Sequence, residues 1–564
     1  MLKKISHGQC MRILCMLLIC QSLVFSEESL PDLADLVIPN LKAMPAPAMR
    51  VFEGGIQMAV TTESPEAQQR VLQGLNLIHG GWDFEAYRQF MEAVKLDPEC
   101  LMANFGVAFS LAGADSEFSK ARLTAATRML MLVERGKGTD LERGYVYAFK
   151  KLIDEGPLSA ANAFNVVGRK YPNDVQLKLF EAFLRRSGFD EYGTPMPDQE
   201  IAEKAVRDLM KQFPDSRLLM HTWLMLRTEN FDMSKDLPTA RKLCEMVPDY
   251  PPYQHLLGHY EWRSGNFSQA ATAFSRCGEL YLRWMKESKL SIVDCPEWVR
   301  AEVYRTVALA SSGDYESALA AANALANLPI PKERIESAGA RMMFWEAKTL
   351  AARLLMRRGA KGDEALAIAS LPKPDDVKDI VSRTKVGSFY QGLVIVLEGK
   401  KALAEGDAKR AEELFQLMAM HGEKMEEVRV QAGKVGELSP FLRAFECLEV
   451  SASEFKGDLT MKISNATVNA AYNWFSGARD KQRISSRMMP PITLFPMSAH
   501  LSDYYQNKKD LKSAREACEE GLLFWPNDLI LLDHLQKIAT LQNNTQDSKK
   551  FAEKIEDIKK GSNH

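Results

Sequence analysis

The sequence predicts an all-α protein built from about ten antiparallel helix pairs. Three observations carry this prediction: a spacing of small and bulky residues that recurs along the chain, a glycine turn that recurs between helical stretches, and the length. At 564 residues the chain is longer than a typical domain of roughly 100–200 residues. Its 46% apolar and 26% charged residues are typical of a folded globular protein. A repeat array accounts for both the size and the recurrence.

The clearest copy of the spacing lies at 83–100, DFEAYRQFMEAVKLDPEC. Ala86 is followed by Phe90 four residues later, Ala93 three after that, and Pro98 after five more. Offsets of four and three place these side chains on one face of a helix, where small residues allow a neighbouring helix to approach closely. Proline then ends the helix, because it lacks a backbone donor and disfavours the helical conformation of the residue before it.

The same intervals recur along most of the chain, and this recurrence distinguishes a repeat from a single amphipathic helix. Copies with the proline are Ala160, Phe164, Val167, Pro172; Ala202, Val206, Leu209, Pro214; Ala240, Cys244, Val247, Pro252; and Ala514, Cys518, Gly521, Pro526. Copies without it are Ala270, Phe274, Cys277; Ala318, Ala322, Leu325; and Ala411, Phe415, Met418.

Glycine turns precede three of these copies, at 264–270 (SGNFSQA), 312–318 (SGDYESA) and 405–411 (EGDAKRA). Glycine at this position favours a left-handed cap that ends the first helix, and the following Asn or Asp caps the second. Upstream of the first turn, Leu257 and Gly258 provide a bulky and a small residue where two helices would cross. The pattern therefore predicts helix–turn–helix units.

These features resemble the tetratricopeptide repeat, a 34-residue helix–turn–helix unit. Gly74 and the residues of the first copy stand at the family's intervals. The resemblance implies a right-handed α-solenoid whose concave face holds an extended peptide or a partner helix. The opening, 61–113, is also similar to the first repeats of secreted bacterial tetratricopeptide proteins. The interval between copies varies from 30 residues (Ala240 to Ala270) to 48 (Ala270 to Ala318), which predicts lengthened helices or inserted loops.

The predicted organisation has five parts: a signal peptide at 1–26, an extended leader at 27–64, a regular array at 65–330, degenerate helical repeats at 331–495, and a C-terminal unit with a capping helix at 496–564. Within the leader, IQMAVTT (56–62) suggests a short strand. The Pro-containing segment RMMPPITLFPM (487–497) cannot be helical throughout and suggests an apolar loop.

The first 26 residues have the pattern of a secretory signal. Basic residues precede the apolar run ILCMLLICQSLVF (13–25), and Ser26 provides a small residue before the acidic Glu27. We therefore expect export, to the periplasm or cell envelope of a bacterium or beyond it. Translation from Met11 would give a more compact signal, and lipid attachment at Cys20 is an alternative that Ile19 disfavours. No later stretch is long and apolar enough to span a membrane.

The composition and motifs give no indication of catalysis or a cofactor. Lys plus Arg (72) nearly balance Asp plus Glu (74), so nucleic acid is not an expected partner. The chain has no HExxH, GxSxG or GxxxxGK[ST] motif, and no CxxC that would indicate a metal or haem site. The six cysteines beyond the signal are scattered; buried thiols are expected, and a Cys277–Cys295 bridge is an alternative.

The candidate binding residues lie in HLLGHYEWR. His255 and His259 are one helical turn apart, with Trp262 and Arg263 following. The resemblance places all four on the concave face, where donors and an aromatic ring would suit a polar peptide or its carboxylate. Two other interpretations remain: a metal site, which lacks a visible third ligand, and a half-exposed helix face without a specific ligand.

The predicted function is therefore recognition without catalysis, of a protein or peptide partner on the concave face. A glycan- or nutrient-binding envelope protein is the alternative, with Trp298, Trp345 and Trp474 as candidates for an aromatic platform. An enzyme with a site assembled from distant repeats is a third, for which no motif was found. Fold alone does not decide among them.

Overall fold

The structure is a computed structural model that describes residues 29–114, 116–190, 192–230, 232–434, 439–463, 468–484 and 492–561. The predicted signal peptide, with Met11 and Cys20, lies outside the described residues, as does 487–491 of the predicted apolar loop. Within the described part, no strand occurs, and one isolated bridge joins Phe189 and Pro195. None of the described helices has the length and apolarity needed to cross a bilayer.

The chain divides into two compact units. Unit 1 comprises the described residues within 1–230, 238–253 and 283–290, and unit 2 comprises those within 231–237, 254–282 and 291–564. The predicted limits at 330 and 495 were drawn from the regularity of the sequence repeats. They mark where that regularity changes and do not coincide with the limits of the two units.

Unit 1 contains the first ten helices, apart from the first residue of α10. Consecutive members α1 and α2, α3 and α4, α5 and α6, and α7 and α8 pack against each other as pairs. The helices are α1 Pro65–His79, α2 Asp83–Leu96, α3 Leu101–Ser110, α4 Ser119–Glu134, α5 Asp140–Glu155, α6 Pro157–Lys170, α7 Val175–Leu184, α8 Pro197–Gln212, α9 Arg217–Arg227 and α10 Leu237–Met246.

The next two helices, α11 Pro251–Arg263 and α12 Phe267–Ser288, contribute residues to both units. Unit 2 contains the rest: α13 Pro296–Ser311, α14 Tyr315–Ala326, α15 Ala338–Met342, a π-helix Met343–Ala347, α16 Leu350–Arg358, α17 Asp363–Ser370, α18 Pro374–Arg383, α19 Val386–Glu405, α20 Ala408–Lys434, α21 Ser439–Ile463, α22 Val468–Ile484, α23 Met497–Asn507, α24 Leu511–Phe524, α25 Leu529–Leu541 and α26 Thr545–Lys560. Here too successive helices pair, from α13 with α14 to α25 with α26. The prediction of an all-α chain of antiparallel helix pairs is confirmed.

Glycine–phenylalanine contacts explain the recurring spacing. A Cβ added at Gly74 on α1 would lie 2.5 Å from the Phe90 ring, and one at Gly106 on α3 would lie 2.2 Å from the same ring. Phe90 therefore fills the space between its own pair and the next. Gly258 stands in the same relation to Phe274, at 2.6 Å. A larger residue at these glycines would force the helices apart.

The other repeat-defining positions lie inside the packing or just beyond helix ends. The alanines Ala86, Ala93, Ala160, Ala202, Ala270, Ala318, Ala411 and Ala514 and the rings of Phe90, Phe164 and Phe274 are all buried, whereas Phe415 is partly buried. Pro98, Pro172, Pro214 and Pro526 each follow a helix by two residues. Small side chains thus face neighbouring helices, and proline separates one pair from the next.

The predicted turns form as expected. Gly313 and Gly406 have φ of +95° and +83°, a region open to glycine at little cost. Asp314 then accepts a hydrogen bond from the Ser317 amide at 3.0 Å, which caps α14. The irregular spacing after residue 331 corresponds to the π-helix and to two long helices, α20 with 27 residues and α21 with 25.

Two sequence-based details were wrong or incomplete. IQMAVTT does not form a strand: no neighbouring strand is present among the described residues to pair with it, and its backbone is held by side chains instead. The described end of the predicted apolar loop is not a surface feature, because Ile492, Leu494 and Met497 are buried in the core. The six cysteines of the described residues are all buried, and Cys277 and Cys295 do not form the alternative disulfide.

Candidate functional site

The two histidines predicted to bind a ligand lie in a cluster of rings in unit 2. The His255 and His259 rings are 4.7 Å apart, and their Nε2 atoms are separated by 3.0 Å. Tyr304 on α13 lies 5.6 Å from the first ring and 5.1 Å from the second, and Phe274 contacts all three. A hydrogen bond between the two imidazoles requires one donor and one acceptor nitrogen, so at least one ring is neutral.

The other predicted binding residues are less accessible than the sequence suggested. His259, Trp262 and Arg263 are 1%, 7% and 3% exposed, whereas His255 is half-buried. The Trp262 indole donates to Ser311 Oγ at 3.3 Å and packs in the hydrophobic core of unit 2. Of the four, therefore, His255 is the side chain that solvent reaches most readily. Whether the set binds a partner remains a prediction.

Arginines that the sequence analysis missed surround the histidines. Arg300 lies one turn before Tyr304 on α13, Arg353 lies on α16, and Arg443 lies on α21. Arg353 and Arg443 lie over the ring of Trp345, at 5.6 and 6.0 Å. We call the set of His255, His259, Arg300, Tyr304, Glu346, Arg353 and Arg443 the basic cluster.

Positive charge exceeds negative charge in the basic cluster. Glu346, 3% exposed, is its one carboxylate; it lies 3.8 Å from Arg443 Nε, and its backbone carbonyl accepts from Arg353 Nη2 at 2.7 Å. Glu297 is a further carboxylate that acts on Arg300. Burial lowers the pKa of Arg353, whereas Arg300, although burial opposes its charge, is held above its ordinary pKa by Tyr304 and Glu346. Guanidinium groups stay charged through such shifts.

Burial and the neighbouring charges also shift the pKa values of His255, His259 and Tyr304. Burial, assisted by the charge of Arg300, lowers the pKa of His255 to about 3. Burial, then His255 and Arg300, hold the pKa of His259 well below its usual range. Burial and the Glu346 charge raise the pKa of Tyr304 to about 12. At neutral pH the imidazoles and the phenol are therefore uncharged, and the arginines set the sign of the site.

Several donors of the basic cluster have no hydrogen-bond partner among the described residues. They are Arg300 Nε, Arg353 Nε, Tyr304 Oη and His255 Nδ1. The Arg300 and Arg353 side chains are half-buried, whereas their Nε atoms are shielded from solvent. Buried or half-buried donors without acceptors are costly, and an anionic group that supplies acceptors relieves that cost. The arrangement is suited to bind carboxylates.

A small pocket adjoins the basic cluster through Arg353. Its volume is about 40 Å³, and its lining combines the apolar Leu393, Val396 and Leu494 with polar groups such as Lys400 and Glu454. A pocket of this size holds one or two water molecules or a methyl-sized group. It cannot hold a large cofactor.

One further group of ionisable residues lies at the end of this pocket. Lys400 on α19, Glu454 and Asp458 on α21, and His500 on α23 form what we call the ion cluster. Lys400 Nζ contacts Glu454 and lies 3.6 Å from Asp458, and His500 lies 2.9 Å from Glu454 and 3.7 Å from Asp458. The His500 ring stacks on Phe475 with centroids 4.9 Å apart.

The ligand atoms of Glu454, Asp458 and His500 lie within 4.8 Å of one another, close enough to share a metal ion. The Lys400 ammonium, however, already contacts both carboxylates and supplies the positive charge that a metal would bring. Burial is outweighed by Lys400 and His500, which lower the pKa of Glu454 to about 2. The pKa of His500 is raised, because Asp458 and Glu454 outweigh its burial. These shifts favour a paired, structural ion network.

The aromatic platform expected of a glycan-binding protein is not evident in the described contacts. Trp345 is buried beneath the two guanidinium groups, Trp298 packs against the core of unit 2, and Trp474, 39% exposed, contacts Phe415. The three side chains have no contact in common.

Comparisons with known proteins give matches to solved structures alone, each of those named below at a low TM-score. No family model and no curated protein matches the sequence. Solved structures that resemble the chain include the human IFIT1 dimer with m7Gppp-AAAA (TM-score 0.34, 13% identity, 94% of this chain and 95% of that one). Yeast Tom70 (0.29, 11%, 88% and 93%) and the TPR domain of P58(IPK) (0.19, 13%, 85% and 99%) are further examples. The helix pairs and their glycine–phenylalanine contacts characterise the architecture. The chain has a tetratricopeptide-like fold.

Proposed function

We propose that the protein is an exported, non-catalytic interaction scaffold that binds an acidic segment of a protein or peptide partner at the basic cluster. The observation that carries the proposal is the set of donors on Arg300, Arg353, Tyr304 and His255 that lack partners among the described residues. These atoms are buried beside an excess of positive charge, whereas the side chains of His255, Arg300 and Arg353 are partly exposed.

The chemistry favours carboxylates as the bound groups. A guanidinium presents its donors in a planar fork that matches a carboxylate, and charge-assisted hydrogen bonds are roughly twice as strong as neutral ones. Stacking over Trp345 restricts Arg353 before binding, so less side-chain entropy is lost when the ligand arrives. The neutral imidazole and phenol add donors without adding charge.

The test measures binding of fluorescein-labelled peptides to the full chain by anisotropy. We expect a twelve-residue Glu/Asp-rich peptide to bind, and the same peptide with Gln and Asn in place of its acids to bind at least tenfold more weakly. The double variant Arg300→Gln/Arg353→Gln removes two charge-assisted donors. It should weaken binding of the acidic peptide tenfold or more. Arg276→Gln is the matched control, because Arg276 is an exposed arginine paired with Glu279 on α12.

Equal binding by the double variant and the control would refute the assignment of the site. Preference for an RNA oligonucleotide of equal charge would refute the class of partner. Export is tested separately: the intact mass of protein recovered from a bacterial envelope fraction should correspond to a chain beginning at Glu27, and a mass that retains residues 1–26 would contradict it.

A further inference from the structure

The leader, residues 29–64, runs along unit 1 as an extended segment rather than as a loop. After the 3-10 turns Leu33–Leu36 and Pro39–Ala43, residues 44–62 contain no helix or strand. Over 56–60, side chains alternate: Ile56, Met58 and Val60 are buried, whereas Gln57 and Ala59 are exposed. This is the alternation of a β-strand laid on a surface, although its surface consists of helices.

The main chain of the leader is bound by side-chain amides of α1. Gln73 accepts from the Arg50 amide at 2.9 Å and donates to the Arg50 carbonyl at 2.6 Å. Gln68 repeats the arrangement one stretch later, accepting from Val60 at 2.8 Å and donating to Met58 at 2.8 Å. A carboxamide that pairs with both backbone groups takes the place that a neighbouring strand would have.

Asn76, also on α1, and Glu142 on α5 extend this pattern. Asn76 accepts from the Ile56 amide at 2.8 Å, and Glu142 on α5 accepts from the Thr61 amide at 2.8 Å. A Cβ at Gly55 would lie 2.4 Å from Asn76 Oδ1, so the leader can approach this closely only with glycine there. The contacts thus continue from α1 to α5.

Carbonyl groups of the earlier part of the leader are bound by fixed donors on α1 and α2. Arg88 donates to Pro45 at 2.8 Å, Arg70 to Pro47 at 2.7 Å, and Gln89 to Ala48 at 2.8 Å. Arg88 and Gln89 are 2% and 0% exposed. Arg88 is oriented by Glu85 at 2.6 Å, so this donor is held in place independently of the leader.

Over the middle of this path the apolar side chains of the leader contribute little, although the Arg50 guanidinium lies 4.9 Å from the centroid of the Trp82 ring and Glu53 pairs with Arg217. Met49 is 47% and Val51 89% exposed, although the backbone of Arg50 between them is bound on both sides. Apart from these two contacts, the bonds to Arg50 involve its main chain. The apolar anchors at 56, 58 and 60 require aliphatic residues at alternate positions but no charge.

The first cap of the helical array does not depend on residues 45–61, because Ser64 at the end of the leader provides it. Ser64 accepts from the Ala67 amide at 3.1 Å, and Pro65 begins α1, so the helix has its own N-terminal signal. Ala67, Val71 and Leu75 are fully buried in α1, which packs against α2. The side chains that bind residues 45–61 are therefore borne by helices that are complete without it.

We infer that unit 1 contains a second interaction surface, a main-chain-reading groove that holds residues 45–61 as a resident ligand and accepts an extended segment of a protein partner in its place. The matching segment has aliphatic side chains at alternate positions, like Ile56, Met58 and Val60. The residues of this groove are not those of the basic cluster. In the structure, the protein's own residues 45–61 occupy it.

The test releases the leader in the otherwise intact protein. Glu63 is exposed and is replaced by a protease recognition sequence. The full chain is then cut, and a fluorescein-labelled peptide of residues 30–61 is added in excess. We expect the cut protein to bind this peptide at least tenfold more tightly than the uncut protein, with native mass spectrometry showing exchange of the severed fragment.

Variants determine whether the groove reads the main chain. Gln73→Leu removes both hydrogen bonds to the Arg50 main chain. It should weaken binding of the labelled peptide to the cut protein about tenfold. Gln212→Leu on α8 is the matched control, because Gln212 is an exposed glutamine whose amide bonds only within its own helix. A peptide with Asn at 56, 58 and 60 should bind more weakly than the natural one.

Three results would overturn the inference. The first is loss of helical circular dichroism on cutting, which would make the leader an integral part of the core. The second is equal peptide binding before and after the cut. The third is a severed fragment that a thousandfold excess of peptide fails to replace.

Discussion

Removing the Lys400 ammonium should destabilise the helices that meet at the ion cluster. The Lys400, Glu454 and His500 side chains are 10%, 11% and 15% exposed, and Asp458 is 30% exposed, so water screens these charges poorly. Lys400→Met leaves two carboxylates with His500 as their remaining cation. Breaking a buried pair by removing one partner costs about 3–5 kcal/mol, because the other charge stays buried.

Hydrogen exchange measured by mass spectrometry assays this change helix by helix. Each 1.4 kcal/mol is a factor of ten, so protection of peptides from α19 and α21 should fall roughly a hundredfold or more, while α1 in unit 1 is unaffected. Adding Glu454→Gln removes one of the uncompensated carboxylates and should restore part of the loss. Protection that changes less than threefold in α19 and α21, or a double variant worse than the single one, would refute the argument.

The same cluster predicts a dependence on pH. The folded pKa of His500 lies above its unfolded value, so its contribution is complete below about pH 6.5 and is lost as the pH rises through the raised value. Glu454 acts oppositely: its folded pKa of about 2 gives stability that is present above about pH 4.5 and lost towards pH 2. His500→Phe should remove the alkaline loss of protection in α21, and an unchanged pH profile would contradict this assignment.

Three further predictions concern packing and burial. Gly74→Val would place a side chain where the Phe90 ring lies. It should lower the free energy of unfolding by about 1–3 kcal/mol, as measured by denaturation followed by circular dichroism. Tyr304→Phe should leave stability within about 1 kcal/mol or raise it, since the hydroxyl has no partner among the described residues. His255→Phe with His259→Phe should reduce the loss of stability between pH 6.5 and 3, where the unfolded imidazoles bind protons before the buried ones do.

The fold could be predicted because its determinants are local. The intervals of small residues, rings and prolines describe one helix pair, and each pair repeats the same contacts, as Gly74 with Phe90 and Gly258 with Phe274 show. The turn glycines Gly313 and Gly406 were identified for the same reason. The lengths of α20 and α21 could not be predicted. Both helices run through residues that lack the repeat spacing, so small residues, rings and prolines do not mark where they end.

The candidate site could be predicted only in part, because it is assembled from distant positions. His255 and His259 were visible as a pair one turn apart, but Arg353 and Arg443 come from helices up to 188 residues further on. One signal was available: Arg300 and Tyr304 follow the stripe of Val299 and Val303 on α13, where polar side chains would border the buried face. Their partners could not be inferred, because spacing within a helix does not reveal which helices meet.

The acceptors available to buried arginines distinguish the two proposed surfaces. In unit 1, Arg70 and Arg88 donate to carbonyls of the leader, which supplies acceptors from the same chain. In unit 2, Arg300 Nε has no hydrogen-bond partner among the described residues, although the pKa of the guanidinium is raised by Tyr304 and Glu346 against its burial. A guanidinium held away from water is stable only if something compensates it. By this reasoning the leader satisfies the arginines of unit 1, and the acidic partner that we propose would satisfy those of the basic cluster.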